Sequence, residues 1–180
     1  MKPSIIHGAA AALALLLAGA APAALPVGAT APDFATQASL AGKPFAFHLA
    51  DALRKGPVVL YFYPAAFTSG CTVEAHDFAA ATDAFAKLGA TVIGVSGDAI
   101  DKLNRFSVTE CRNKFAVASA DAKLISAYDV KLPLLSRSNR TSFVIAPGGK
   151  IIFEYSAFDP AGHVDKTMAA VKAWRAAHPG

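Results

Sequence analysis

Residues 58–63, Val-Val-Leu-Tyr-Phe-Tyr, form an unbroken apolar run that Pro64 ends. A strand that is apolar on both faces needs cover from both sides, so it belongs inside a sheet flanked by helices. Residues 91–96, Thr-Val-Ile-Gly-Val-Ser, read as a second buried strand. Between the two, Val73, Phe78, Phe85 and Leu88 fall near helical spacing among alanines, which predicts a helix over residues 71–88 with Gly89 as its stop. Residues 26–34 are turn-rich and extended, and residues 45–49 alternate like a half-buried strand. A helix is expected from Asp98 toward Phe106 and a short one over residues 121–128. Residues 142–145 and 151–155 make a hairpin through Pro147-Gly148-Gly149-Lys150, and residues 162–178 a final helix with Val164, Met168, Val171 and Trp174 on one stripe. This order predicts an α/β fold, a central mixed β-sheet with helices on both faces.

Composition matters chiefly at the N-terminus. Of 180 residues 54% are apolar and 17% charged, a balance that leans toward a membrane or an exported chain. Lys2 precedes an apolar run over residues 9–18, followed by small residues that offer Ala18-Gly19-Ala20 and Ala21-Pro22-Ala23 as cleavage patterns. We expect residues 1–24 to be a secretory signal peptide and residues 25–180 to form one domain, periplasmic or secreted. An uncleaved anchor is the competing expectation, because residues 5–24 are about as long as a bilayer span; Gly19 and Pro22 interrupt that stretch. Seventeen basic residues against thirteen acidic give a net charge of +4, and no Lys/Arg run exceeds two, so nothing resembles a nucleic-acid footprint. Two cysteines exclude a disulfide framework and a four-thiolate zinc site. In an extracytoplasmic compartment Cys71 and Cys111 can bond to each other.

Cys71 stands at the predicted start of a helix, seven residues after the buried strand. Unpaired N–H groups and the positive end of the helix dipole favour a thiolate there. Thr68 is placed to donate to the sulfur or to a bound oxygen, and Gly70 permits close backbone approach. The bland alternative is a buried, unreactive cysteine.

The motif Pro64-x-x-x-Thr68-x-x-Cys71 resembles the active-site signature of peroxiredoxins, and YFYPAAFTSGCTVEAHDF is similar to the subgroup called bacterioferritin comigratory protein or peroxiredoxin Q. Gly28-x-x-Ala31-Pro32-Asp33-Phe34 and Arg140-Thr141-Ser142-Phe143-Val144-Ile145 resemble two further landmarks of that family. The resemblance implies a thioredoxin-like fold and an antioxidant oxidoreductase that reduces hydrogen peroxide and organic hydroperoxides without a cofactor or metal. It makes Cys71 the peroxidatic nucleophile, Thr68 the hydroxyl that orients peroxide, Pro64 the shield against water and Arg140 the neighbouring cation. Glu74, one helical turn beyond Cys71, would pair with Arg140, or would be an ordinary first-turn glutamate. The implied partners are a peroxide and an external dithiol such as a thioredoxin-like protein, with the protein itself a monomer or weak dimer free of the membrane once the signal is removed.

Some members of the subgroup carry a resolving cysteine five residues after the first, where this chain has His76. Another branch carries it on the following helix, and Cys111 matches that placement. Cys111 is therefore expected to resolve the Cys71 sulfenic acid as an intramolecular disulfide, with Ser107-Val108-Thr109 as poor helix formers that ease local opening; a buried unreactive Cys111 with one-cysteine chemistry and a permanent structural disulfide are the alternatives. His76 is expected to be a solvated helix-face residue. A thioredoxin-type thiol-disulfide oxidoreductase is the alternative enzyme, though no Cys-x-x-Cys is present. A copper-binding module using Cys71, Cys111 and His76 is the non-enzymatic alternative.

Overall fold

The computed structural model describes residues 24–135 and 137–179. The expected signal peptide lies, but for Ala24, outside the described residues. Seven strands form one mixed sheet: β1 Ala35–Leu40, β2 Lys43–His48, β3 Val58–Phe62, β4 Thr91–Ser96, β5 Ala116–Ser119, β6 Thr141–Ile145 and β7 Ile151–Ser156, in the order β2-β1-β5-β4-β3-β6-β7. β3 pairs in parallel with β4 and antiparallel with β6, and β4 pairs in parallel with β5. The helices are α1 Leu49–Leu53, α2 Ser69–Lys87, α3 Ile100–Thr109, α4 Ala122–Ala127 and α5 His163–Ala177.

Every residue of β3 is buried, as its composition demands. Its side chains alternate between two cores. Val58, Leu60 and Phe62 pack with Leu49, Leu53, Ile125 and Tyr128, from the α1 and α4 side. Val59 and Tyr61 pack with Phe78, Leu103, Phe106 and Val171, from α2, α3 and α5. Both cysteines belong to this second layer.

Several elements depart from the expected pattern. β1 and β5 carry few large apolar residues, and their strand form follows from pairing: β1 with β2, β5 with β4, and the two with each other at Ala38 opposite Ala118 and Ser39 opposite Val117. Leu49 does not continue β2 but opens α1. On α5 the most buried positions are His163, Thr167 and Val171, one residue round from the expected stripe, with Val164 and Met168 packed at its edge.

Gly94 in the middle of β4 gives room to the Tyr61 ring. A Cβ there would stand 2.7 to 2.9 Å from three Tyr61 ring and hydroxyl atoms. Tyr61 stacks on Phe78 of α2 at 4.3 Å between centroids, so it cannot withdraw without disturbing the layer that carries the cysteines. Gly94→Ala is accordingly expected to destabilise the fold by about 1–3 kcal/mol through overpacking, read as a lower urea midpoint at unchanged m-value.

Candidate active site

The turn from β3 into α2 presents residues 64–71. Pro64 ends the strand, half-buried. The Ala66 N–H donates to Asp98 Oδ2 at 2.7 Å, and Asp98 also accepts from Ser96 Oγ at 2.9 Å and Lys102 Nζ at 2.7 Å, tying the loop to β4 and α3. Phe67 takes a left-handed backbone conformation, φ 66°, and its ring packs edge-on against Phe106. α2 begins at Ser69, two residues earlier than expected, so Cys71 lies within its first turn. Cys71 is 2% exposed.

Arg140 reaches this turn because of sheet register. Phe62 pairs with Thr141, which leaves Arg140 beside the end of β3 where the loop departs. Its side chain is 5% exposed and its guanidinium makes three contacts: Nη2 lies 3.6 Å from Cys71 Sγ, Nη1 donates to Glu74 Oε2, and Nε donates to the Phe158 carbonyl at 3.0 Å. Gly70 gives this approach its room, since a Cβ there would sit 3.0 Å from Nη2 and press on the guanidinium. The geometry brings Cys71, Glu74 and Arg140 together. Thr68 stands at the edge of the group, and its hydroxyl donates to the Ala65 carbonyl at 3.0 Å rather than to the sulfur.

Behind Glu74 lies a residue that sequence reasoning missed. His163, fully buried, places Nδ1 2.8 Å from Ser142 Oγ and 3.6 Å from Glu74 Oε1, while Nε2 lies 3.3 Å from the Ala157 carbonyl. Glu74 Oε1 itself has no hydrogen-bond partner. Burial pushes the Glu74 carboxyl up to about 8 even though Arg140 pulls it down. Burial likewise lowers His163 to about 4, opposed by the Ala157 carbonyl and reinforced by Arg140 and Lys166. A neutral imidazole therefore donates Nε2–H to Ala157 and accepts from Ser142. The only sequence signal for His163 was its place just after Gly162, at the start of the last helix.

Cys111 follows the end of α3, fully buried and unbonded to Cys71. Burial pushes its thiol well up, and the Glu110 charge adds to the effect. Ser107 does not loosen this region as its propensity suggested: it is buried and meets Ser39 Oγ at 3.1 Å and the Gly42 N–H at 2.9 Å. His76 is not simply solvated either, since its Nε2 lies 2.9 Å from Glu110 Oε2. Among the described residues no three His, Cys, Asp or Glu side chains converge on a metal position. A cavity of about 520 Å³ lined by Phe45, Phe47, Thr82, Val92 and Phe115 opens near the start of β4, at the end of that strand opposite the Cys71 loop.

Residues 27–154 match the AhpC/TSA family. Peroxiredoxin Bcp of Xanthomonas campestris is 32% identical over 126 residues, which cover 64% of this chain and 76% of that one. The crystal structure of peroxidoxin BcpB from Mycobacterium tuberculosis superimposes with a TM-score of 0.75 at 34% identity, covering 82% of this chain and 96% of that one. Peroxiredoxin Q of Xanthomonas campestris gives a TM-score of 0.67 at 33% identity, over 76% and 89% of the two chains. The sheet and its flanking helices thus form the thioredoxin-like peroxiredoxin fold.

The two buried titrations behind Arg140 act on stability in opposite senses. His163, depressed when folded, contributes stability present above its unfolded value near 6.5 and lost as pH falls through about 4. Glu74, raised when folded, contributes stability present below about 4.5 and lost as pH rises through about 8. His163→Asn is expected to remove about 3 kcal/mol of the acid-side loss between pH 6.5 and 4, measured as the difference in pH slope of urea-unfolding free energy between variant and wild type.

Proposed function

The chain belongs to the AhpC/TSA family as a thiol-dependent peroxidase of the Bcp and peroxiredoxin Q kind, and on that footing we propose that Cys71 is the sulfur that attacks peroxide. The observation that carries the assignment is the buried Arg140 guanidinium 3.6 Å from Cys71 Sγ, at the positive end of a nineteen-residue helix. A cation and the positive end of a helix dipole both favour negative charge on a sulfur placed there.

The thiolate attacks the terminal oxygen of the hydroperoxide, the O–O bond breaks, Cys71 becomes a sulfenic acid, and the alkoxide or hydroxide leaves as alcohol or water after taking a proton. Arg140 compensates the negative charge as it passes from sulfur to departing oxygen. Thr68 spends its own proton on Ala65, so its oxygen is free to accept a hydrogen bond from the peroxide O–H and fix its orientation. Pro64 lacks an N–H and covers the loop without offering water a donor. Glu74 holds Arg140 in place.

Cys111 is the proposed resolving thiol, the only other cysteine in the chain, and it shares the Cys71 core layer. A thioredoxin-type dithiol would then reduce the disulfide. One chain carries all the residues of the proposed site, which supports a monomer or weak dimer as the functional unit. Residues 1–24 are proposed as a secretory leader and residues 25–180 as the exported, periplasmic or secreted, domain. Ala24 and Leu25 pack on the core, with the Leu25 N–H donating to the Tyr128 carbonyl, which favours removal no further along the chain.

Cys71→Ser is expected to abolish peroxide consumption. Cys111→Ser should complete one turnover and form no intramolecular disulfide. Arg140→Ala should slow the first step by about a hundredfold or more. Stopped-flow peroxide consumption with an external dithiol, followed by mass spectrometry of the oxidised protein, checks all three. Equal activity in wild type and Cys71→Ser would overturn the assignment.

A further inference from the structure

His76 has no part in the peroxide chemistry just described. It lies on α2 five positions beyond Cys71, and its partner Glu110 immediately precedes Cys111. The His76 side chain is 35% exposed and that of Glu110 18%, so water competes only partly for the contact. Further along α2, Asp83 meets Lys114 Nζ at 3.0 Å. Two contacts from the helix that bears Cys71 therefore straddle Cys111, at residues 110 and 114.

The segment they straddle is strained. Arg112 and Asn113 both have left-handed backbones, φ 51° and 58°, which side chains other than glycine adopt at a cost. It is closed by the Cys111 N–H to the Phe106 carbonyl at 3.0 Å, Asn113 N–H to Ser107 at 3.0 Å and Lys114 N–H to Cys111 at 2.9 Å. Ser107, by contrast, is fixed to the β1–β2 turn, so any yielding falls after residue 109.

The segment has to yield if the two sulfurs are to meet. α2 and α3 both start beside the Cys71 loop and run the same way, as the Ala66–Asp98, His76–Glu110 and Asp83–Lys114 contacts show. With about 1.5 Å of rise per residue, His76, where Glu110 meets α2, lies about 7.5 Å further down the axis than Cys71, and the separation of about 8–10 Å or more between helix axes adds to that. A disulfide needs the two Cα atoms within about 7 Å and their Cβ atoms facing. Both cysteines are instead buried among Tyr63, Phe78, Phe106 and Phe115.

We propose that the His76–Glu110 contact is the latch that holds Cys111 away from Cys71, and that His76 is a positioning residue setting how the Cys71 sulfenic acid is divided between two fates. The proposal rests on Cys111 being the resolving thiol. In the first fate Cys111 sulfur attacks Cys71 sulfur, the S–O bond breaks, and the hydroxyl leaves with the thiol proton as water. In the second a further hydrogen peroxide oxidises the sulfenic acid to sulfinic acid and is itself reduced to water. A closed latch keeps Cys111 buried as a thiol and slows the first fate without touching the second.

The test oxidises the reduced protein with a graded excess of hydrogen peroxide and measures the disulfide-to-sulfinate ratio by mass spectrometry, with the rate of the first oxidation followed separately. His76→Ala and Glu110→Gln should each raise the ratio about two- to fivefold, the worth of a partly exposed polar contact, at an unchanged first-oxidation rate. The double variant should gain no more than either single one. His76→Lys restores a donor opposite Glu110 and should return the ratio toward wild type, which a merely loosened helix would not do. An unchanged ratio in both single variants, or the same gain in His76→Lys as in His76→Ala, overturns the latch. Should wild type form no Cys71–Cys111 disulfide at all, the resolving role falls and the latch with it. Should the disulfide form while the ratio ignores His76, the latch falls alone.

Discussion

An arginine side chain left 5% exposed, its guanidinium beside a sulfur, is the constraint around which the site is built. Burying such a charge alone is prohibitive, and removing one partner of a buried pair costs about 3–5 kcal/mol. Glu74 therefore has to face Arg140, which fixes which side of α2 turns inward. The remaining guanidinium N–H needs an acceptor, and the Phe158 carbonyl provides it by drawing the segment after β7 across the site. Gly70, lacking a Cβ, gives the guanidinium its room. The cost is carried by a buried polar layer of Ser142, His163 and Thr167, which replaces apolar packing under α5.

That layer marks the boundary of what was legible in the sequence. β3, β4 and α2 could be read locally, because an uninterrupted apolar run and a helical period are properties of neighbouring residues. Cys71 could be placed for the same reason, as it follows directly on those elements. Arg140 could be named only through a family resemblance. Its closeness to the sulfur depends on Phe62 pairing with Thr141, a contact across more than seventy positions of chain. His163 was missed because its burial is a response to Glu74 and Ser142, and an apolar stripe drawn through Val164 and Met168 points one residue away from it. β1 and β5 were missed because alanine and serine carry little periodic signal, and pairing alone makes them strands.

Propensity also misjudged the end of α3. Ser107 is a poor helix former, yet its hydroxyl joins the helix to Ser39 and Gly42 and makes it an anchor. The weakness lies just beyond, in two left-handed residues whose strain no sequence scale registers. Local propensity is a weak prior wherever a side chain finds a tertiary partner.

The anchor and the strained segment together give the second core layer two demands that oppose each other. As a core it must pack tightly, and Tyr61, Phe78 and Phe115 do so around both cysteines. As the place where two sulfurs meet it must open. A uniformly weak layer would satisfy the second demand and fail the first, exposing Cys71 to water and to any passing thiol. The arrangement seen here separates them in space: the aromatic stack and Ser107 hold the body of α2 and α3, while among the described residues the side-chain ties from α2 to residues 110–114 are the surface contacts at His76 and Asp83. Contacts of that kind are worth a fraction of the stack they border. Opening can then be confined to residues 110–114 at modest cost, and the packing that keeps Arg140 beside Cys71 need not be disturbed each time the sulfurs approach.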